Sequence, residues 1–276
     1  MTRSRRMLAR AAVLSVFVLT AASSAYAVDG VVLIDQNRAL AGNVTPGDDP
    51  GFPVSLTKSG SYRLSSDLVV SDINLSGISI ETGQAVSIDL NGFSIRGVHS
   101  GGPRPCQAVT PGKGIATGLG NATDVDIRNG TIERMGCDGI LLIGFGNMVQ
   151  NVRVRGNGAT GIQLTGVIIN NTITNNGGEG ISSFDAVVTG NHISDNDAEG
   201  IVLFVGVVSN NSVSNNNGHG LFVPGNAGNP GNRVAYSNNV FSGNNSQADQ
   251  VFGGIQTGSN ICAVLSGGAI NGALCP

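Results

Sequence analysis

The chain has 276 residues, of which 15 are basic and 18 acidic, for a formal net charge of −3 at neutral pH. That length suits one large domain with one core, and the acidic balance disfavours nucleic acid and other polyanions unless a cation intervenes. Gly is abundant at 42 residues and Trp is absent; the Gly recur at fixed places between apolar residues, so they read as turns.

Taken in order, Arg3, Arg5, Arg6 and Arg10 form a basic start, and Ala11 to Ala22 is an apolar run. Ala25-Tyr26-Ala27 follows as a small-x-small cleavage pattern. Residues 1–27 therefore read as a secretory signal peptide, cut after Ala27. Ser4-Arg5-Arg6-Met7-Leu8 loosely resembles a twin-arginine export signal. The apolar run falls short of the ~20 residues that a membrane span needs, and no second run occurs downstream. The expected mature protein is secreted or periplasmic, with no integral membrane segment. It loses four Arg and no acid, leaving 11 basic against 18 acidic residues, a net −7.

Residues 28–60 precede any clear repeat and read as an N-terminal cap. Asp35 to Ala41 suits a short helix or turn, and the Pro/Gly-rich Thr45 to Pro53 reads as irregular. From residue 61 to 276 one domain is expected, closed by its own C-terminal cap.

That domain is repetitive. Apolar residues Ile132, Val154, Ile173, Ile193, Val213 and Phe241 follow one another at steps of 22, 19, 20, 20 and 28 residues. Five positions before each lies Ile127, Val149, Ile168, Val188, Val208 and Tyr236. Three before each lies Asn129, Asn151, Asn170, Gly190, Asn210 and Asn238. Seven after the first five comes Gly139, Gly161, Gly180, Gly200 and Gly220, each followed by Ile or Leu.

A position restricted to Asn or Gly needs a left-handed backbone, and so marks a tight bend between two short strands. The flanking apolar residues alternate inward with the strand period of two. One repeat cannot bury its apolar edge alone, but stacked repeats bury a continuous core. The expected fold is all-β: a single-stranded right-handed parallel β-helix of about eight or nine coils, from about Tyr62 to about Val264. Asn129, Asn151, Asn170, Asn210 and Asn238 would form a structural ladder of amides, spaced ~4.8 Å apart. No helical 3.6-residue period persists after the signal peptide.

Two insertions interrupt the period. The first runs from Gly97 to about Gly120 and the second from Pro224 to Asn232. Insertions in repeat folds rise as loops from one corner and often carry the binding surface. Four cysteines in an exported chain suggest disulfides. Proximity favours Cys106–Cys137 and Cys262–Cys275, among three possible connectivities.

The Asn-Asn-x-Ile and Glu-Gly-Ile units resemble the parallel β-helix repeats of the pectin-lyase-like superfamily. The run Val86-Ser87-Ile88-Asp89-Leu90-Asn91-Gly92-Phe93-Ser94-Ile95 is similar to the opening coil of bacterial exported β-helix proteins. The segment from Leu33 to Leu64, with Pro46-Gly47-Asp48 and Ser59-Gly60-Ser61-Tyr62, is similar to the lead-in of one proteobacterial group of such proteins. The resemblance spans nearly all of the mature chain. It implies the fold, and an activity drawn from a broad set: polysaccharide lyases, polygalacturonases, epimerases, phage tailspikes and non-catalytic members.

The coil alignment places Asp138, Thr160, Glu179, Glu199 and His219 in one row just before the Gly. Glu179, Glu199 and His219 are the candidate catalytic residues. Two carboxylates one coil apart suit retaining glycoside hydrolysis or Ca²⁺ ligation, and a His beside a Glu suits proton transfer. A solvated polar row at a turn is the plainer reading. Gly218-His219-Gly220 resembles the Gly-His-Gly of polygalacturonases, but that family's Asp-Asp pair, Asn-Thr-Asp motif and Arg-Ile-Lys motif are absent. Asp138, Phe222 and Asn226 are candidate binding residues, with Phe222 beside the second insertion. Arg153 and Arg155 face outward, away from the acidic row. His99, His192 and His219 do not converge by spacing, which disfavours a His-based metal site. The expected function is a non-catalytic module that binds a polysaccharide or envelope surface component, with no cofactor beyond a possible Ca²⁺. The alternative is a carbohydrate-active lyase, hydrolase or epimerase.

Overall fold

In a computed structural model the described residues are 30–103, 106, 112–118, 122–225, 233–266, 269–273 and 275. The expected signal peptide and Asn226 lie outside them. No helix among the described residues is long and apolar enough to cross a membrane.

The ribbon winds into a parallel β-helix with three strand faces. On the first face Val54, Ile78, Ile115, Ile140, Ile162, Ile181, Ile201, Leu221 and Val251 stack in register. On the second, Val32, Tyr62, Ile88, Ile127, Val149, Ile168, Val188, Val208 and Tyr236 do the same. The third column is Leu68, Ile95, Ile132, Val154, Ile173, Ile193, Val213, Phe241 and Cys262. The first and third columns hold nine members each, so nine coils are stacked among the described residues. All but Val32 are buried, and each aliphatic side chain so placed contributes roughly 1.5–3 kcal/mol. The expected columns Ile173–Ile193–Val213 and Ile168–Val188–Val208 are thus interior.

The winding starts earlier than the repeat pattern indicates. Val31–Ile34 already pairs in parallel with Ser61–Leu64, so part of the expected cap is itself a strand of the helix. The short helix Gln36–Ala41 follows, N-capped by Asp35, whose side chain accepts from Arg38 N at 2.9 Å. Gln36 then imitates a missing coil: its Oε1 accepts from Val69 N at 2.7 Å and its Nε2 donates to Val69 O at 3.3 Å. A side-chain amide thereby covers an otherwise open strand edge. At the other end Ile261–Ser266 turns back as an antiparallel hairpin with Ala269–Ala273, and Cys262–Cys275 ties it down. The other bridge is Cys106–Cys137. Both are the pairs favoured by proximity.

The bends are as expected, but the amide ladder is not. Asn129, Asn151, Asn170, Gly190, Asn210 and Asn238 have φ of 61°, 54°, 56°, 68°, 58° and 56°, and all six are exposed. The hydrogen-bonded ladder runs one residue later, through buried Asn171, Asn191, Asn211, Asn239 and Asn260. Each Nδ2 donates to the next Oδ1, at 3.1, 3.0, 3.0 and 2.9 Å. A second buried ladder joins Asn157, Asn176, Asn196, Asn216 and Asn244 and ends on Gln250. The left-handed residue turns its own side chain out to solvent, and that turn directs the following one inward. Conformation and burial therefore fall on adjacent residues. The exposed Asn serve the backbone, and the buried Asn satisfy the polar groups of the corner.

The Gly row before the first face has a different cause from the bends. Gly161 and Gly180 do not have positive φ, yet an added Cβ would sit 2.6 Å from Ile173 Cγ2 and from Ile193 Cγ2 respectively. Close packing against the third column, rather than conformation, requires Gly there.

Candidate functional site

The row beside the first face exists as a row. Gly139, Gly161, Gly180 and Gly200 donate their N–H groups to the carbonyls of Thr160, Glu179, Glu199 and His219, one coil on, at 2.8–3.0 Å. The side chains, however, do not converge. Thr160 Oγ1 donates to Glu179 Oε2 at 2.8 Å, which draws that carboxylate toward the preceding coil. The Glu199 carboxyl leans the other way, over Gly218 of the following coil, where an added Cβ would stand 2.8 Å from it. The two carboxylates lean apart, a poor arrangement for the paired attack and protonation of retaining hydrolysis.

Asp138 stands at the upper end of the row and is buried. Its Oδ1 accepts from Thr160 N at 3.2 Å, and its Oδ2 lies 3.3 Å from Cys137 Sγ. Burial pushes its carboxyl above the ordinary range, and the Glu179 charge adds to this, while the Lys113 charge and the Thr160 N–H oppose it. Cys106, Cys137 and Asp138 gather within ligand distance of one another, but the two sulfurs are bonded to each other. A disulfide sulfur is not the thiolate that binds metals. Asp138 is thus covered by a structural bridge rather than offered to a ligand.

The first insertion provides that cover. It leaves the third face after Arg96, and an added Cβ on Gly177 would stand 2.7 Å from Pro103 Cα. Its described residues up to Pro103 therefore lie across the corner that carries the row, beside Gly177. The second insertion leaves the first face after Phe222, at the opposite edge. Its residues 226–232, with Asn226, lie outside the described ones.

Between the two insertions the first face presents Leu141, Gln163, Ser182, Val202, Phe222 and Phe252 outward on successive coils. At its lower end three rings cluster. Phe222 and Phe252 stack at 5.1 Å between centroids and 20° between planes, and His219 lies 5.5 and 5.7 Å from them. The Nδ1 of His219 is buried there without a hydrogen-bond partner among the described residues. Along the edge of the same face Phe184 and Phe204 stack at 5.8 Å and are 67% and 41% exposed. Phe222 and His219 were expected at the site, and they meet. Phe252, Phe184 and Phe204 are additional. Phe184 and Phe204 each fall three residues after the first-face Ile, so the coil alignment carries them. Phe252 has no such signal, because Gln250 replaces the Gly that precedes the first face in the seven coils before it.

Residues 113–263, just over half of the chain, match the family described as the right-handed β-helix region. Among curated proteins no relative matches. Solved structures of similar shape include a mannuronic-acid-specific family 6 polysaccharide lyase from human gut microbiota, at 12% identity and a TM-score of 0.49 over 85% of this chain and 61% of that one. The A-module of a mannuronan C-5 epimerase of Azotobacter vinelandii matches at 15% identity and a TM-score of 0.42, over 80% of this chain and 70% of that one. The Dettilon tailspike protein matches at 17% identity and a TM-score of 0.44 over 78% of this chain. The chain spans only 42% of that tailspike's length, and at these identities the likeness is one of fold. By its coils, its three inward columns and the matched sequence, the chain belongs to the right-handed parallel β-helix family.

Proposed function

We propose that the protein is an exported, non-catalytic module that binds a neutral polysaccharide or surface glycan along the first face. The observation that carries this reading is the aromatic cluster of Phe222, Phe252 and His219 at the end of a polar row. A sugar ring has an apolar C–H face that stacks on an aromatic ring, and hydroxyls at its rim that need hydrogen-bond partners. Phe222 and Phe252 supply the stacking surface; Gln163, Ser182 and Glu199 supply polar partners. Aromatic anchors of this kind dominate binding energies. The acidic balance of the chain favours a neutral ligand over a polyanion. Export is supported by the basic-then-apolar N-terminus and by two disulfides, which persist in oxidising compartments.

The second reading is a carbohydrate-active enzyme using Glu179, Glu199 and His219, with or without Ca²⁺. The opposed lean of the two carboxylates weighs against it. Both are tested by incubating the protein with a panel of neutral and acidic polysaccharides, with Ca²⁺ and with chelator. We expect saturable binding to a neutral glycan, weakened about tenfold, equal to ~1.4 kcal/mol, by Phe222→Ala or Phe252→Ala, without new reducing or unsaturated ends. Binding indifferent to both substitutions overturns the module. Turnover that is lost in Glu199→Gln replaces it with the enzyme.

A further inference from the structure

We infer that a second site, at the bend after the third face, binds a dianionic oxyanion: sulfate, or phosphate either free or as a monoester. It shares no residue with the first face and does not depend on the glycan reading.

The site is an open hollow of about 410 Å³ lined by Arg96, Glu133, Arg134, Arg155, Gly156 and Asn175. Glu133 is its buried centre. Its Oε1 accepts from Arg96 Nε at 2.6 Å, its Oε2 accepts from Arg155 Nε at 2.8 Å, and Arg155 NH2 lies 2.7 Å from the same oxygen as an ion pair. Arg134 is anchored elsewhere: its Nε donates to His99 O at 2.9 Å, and His99 N donates back to Arg134 O at 2.8 Å. All three guanidiniums are therefore held by Nε. Among the described residues the terminal nitrogens of Arg96 and Arg134 have no protein partner, nor has the second terminal nitrogen of Arg155. Three forks are fixed in orientation with donors left over, which is the geometry that suits a multi-oxygen anion. Three guanidiniums against one carboxylate leave a local charge of +2 in a chain whose net charge is negative. Asp67 is also near Arg96, but of the groups acting on that guanidinium its charge acts least.

A second, independent observation concerns Arg134 itself. The bend row after the third face reads Arg134, Gly156, Asn175, Asp195, Asn215 and Gly243, every one at positive φ between 55° and 66°. Five of the six are Gly, Asn or Asp, the residues that tolerate this conformation. Arg134, at φ 58°, is the exception. A long cation held in a strained backbone where Asn would fit is the kind of outlier that points to function rather than to stability.

The test measures thermal stabilisation and calorimetric binding with sodium sulfate, sodium phosphate and glucose 6-phosphate, each against sodium chloride at equal ionic strength. Sulfate or phosphate should bind saturably. A response to glucose 6-phosphate at least equal to that of phosphate would identify the monoester as the source, and a response confined to the inorganic ions would identify the free anion. Arg134→Asn suits the bend and leaves the Glu133 pairs intact, so it should fold normally and weaken oxyanion binding at least tenfold. Arg134→Lys should recover only part of the affinity, since it restores charge without the fork. Arg63→Ala, remote from the hollow, should bind as the parent does. No anion-specific response, or an affinity unchanged in Arg134→Asn, overturns the assignment and leaves Glu133 as an ordinary ion-paired strand residue.

Discussion

Asn191 Nδ2 donates to Asn211 Oδ1 at 3.0 Å across 20 residues of chain, while Asn191 Oδ1 accepts from both Asn171 N and Asn171 Nδ2. One buried amide thus serves three coils. Its Nδ2 also donates to Ile168 O and Thr189 O. Truncating it leaves donors and acceptors buried and unpaired on both neighbours, at about 1–3 kcal/mol for each group so stranded. Asn191→Ala should therefore cost about 3 kcal/mol or more. Asn170→Ala, at an exposed bend, should cost only the left-handed strain of about 1–2 kcal/mol, and Asn170→Gly close to nothing. Urea denaturation of the three variants checks the order; equal losses for Asn191→Ala and Asn170→Ala would contradict it.

Gly200 gives a second contrast. An added Cβ there would stand 2.8 Å from Gly220 O and 2.9 Å from Asn216 Nδ2, in a corner where no side chain can swing away. Gly200→Ala should cost more than 3 kcal/mol, well above the usual loss for a point change. Gly47, at φ 84° and with open space where the Cβ would go, should lose only about 1–2 kcal/mol as Ala, through backbone strain. Soluble yield and Tm of the two variants separate crowding from conformation.

The sequence carries the architecture because stacking repeats the same demand in each coil. Ile181 and Ile201 occupy equal places for equal reasons, so twenty-residue steps expose the columns. The same logic exposes the row ending in His219. It does not say which way a side chain leans, and the divergence of Glu179 from Glu199 depends on Thr160, whose hydroxyl bond has no periodic signature. Nor does it distinguish a left-handed Asn from a buried one when both stand side by side as Asn170-Asn171. The Arg hollow is least legible of all: Arg96, Glu133 and Arg155 meet only when three coils are laid over one another, and the first coil is irregular in sequence.

The disulfides should contribute in proportion to the loops they close. Cys262–Cys275 spans 13 residues and Cys106–Cys137 spans 31, for which chain entropy gives about 3 and about 3.7 kcal/mol. Replacing both members of either pair by Ala should lower Tm by several degrees. Cys106→Ala/Cys137→Ala should in addition increase proteolysis of the first insertion, because that bridge holds it to the corner. Unchanged protease sensitivity would mean that the Arg134–His99 contacts suffice.

Acid titration offers two carboxylates that should behave with opposite sign. Burial raises the Asp138 carboxyl above its ordinary value of 3.8, so between that value and the raised one the folded chain holds a proton that the unfolded chain releases. Stability is then lost as pH rises through this window. Asp138→Asn keeps an oxygen to accept the Thr160 N–H and has no charge to bury. It should match the parent at pH 3 and exceed it at pH 7. Glu133 is the reverse case. Burial works to raise it, but the hydrogen bonds and charges of Arg96 and Arg155 outweigh that and hold it below its ordinary 4.5. Its contribution is present above 4.5 and fades as pH falls through the lowered value. Glu133→Gln should therefore be less stable than the parent at pH 7, and the difference should shrink below pH 4.5. Unfolding free energies for the parent and both variants, taken from pH 3 to pH 7, give two difference curves. If both curves move in the same direction with pH, one of the two carboxylates is not in the environment described for it.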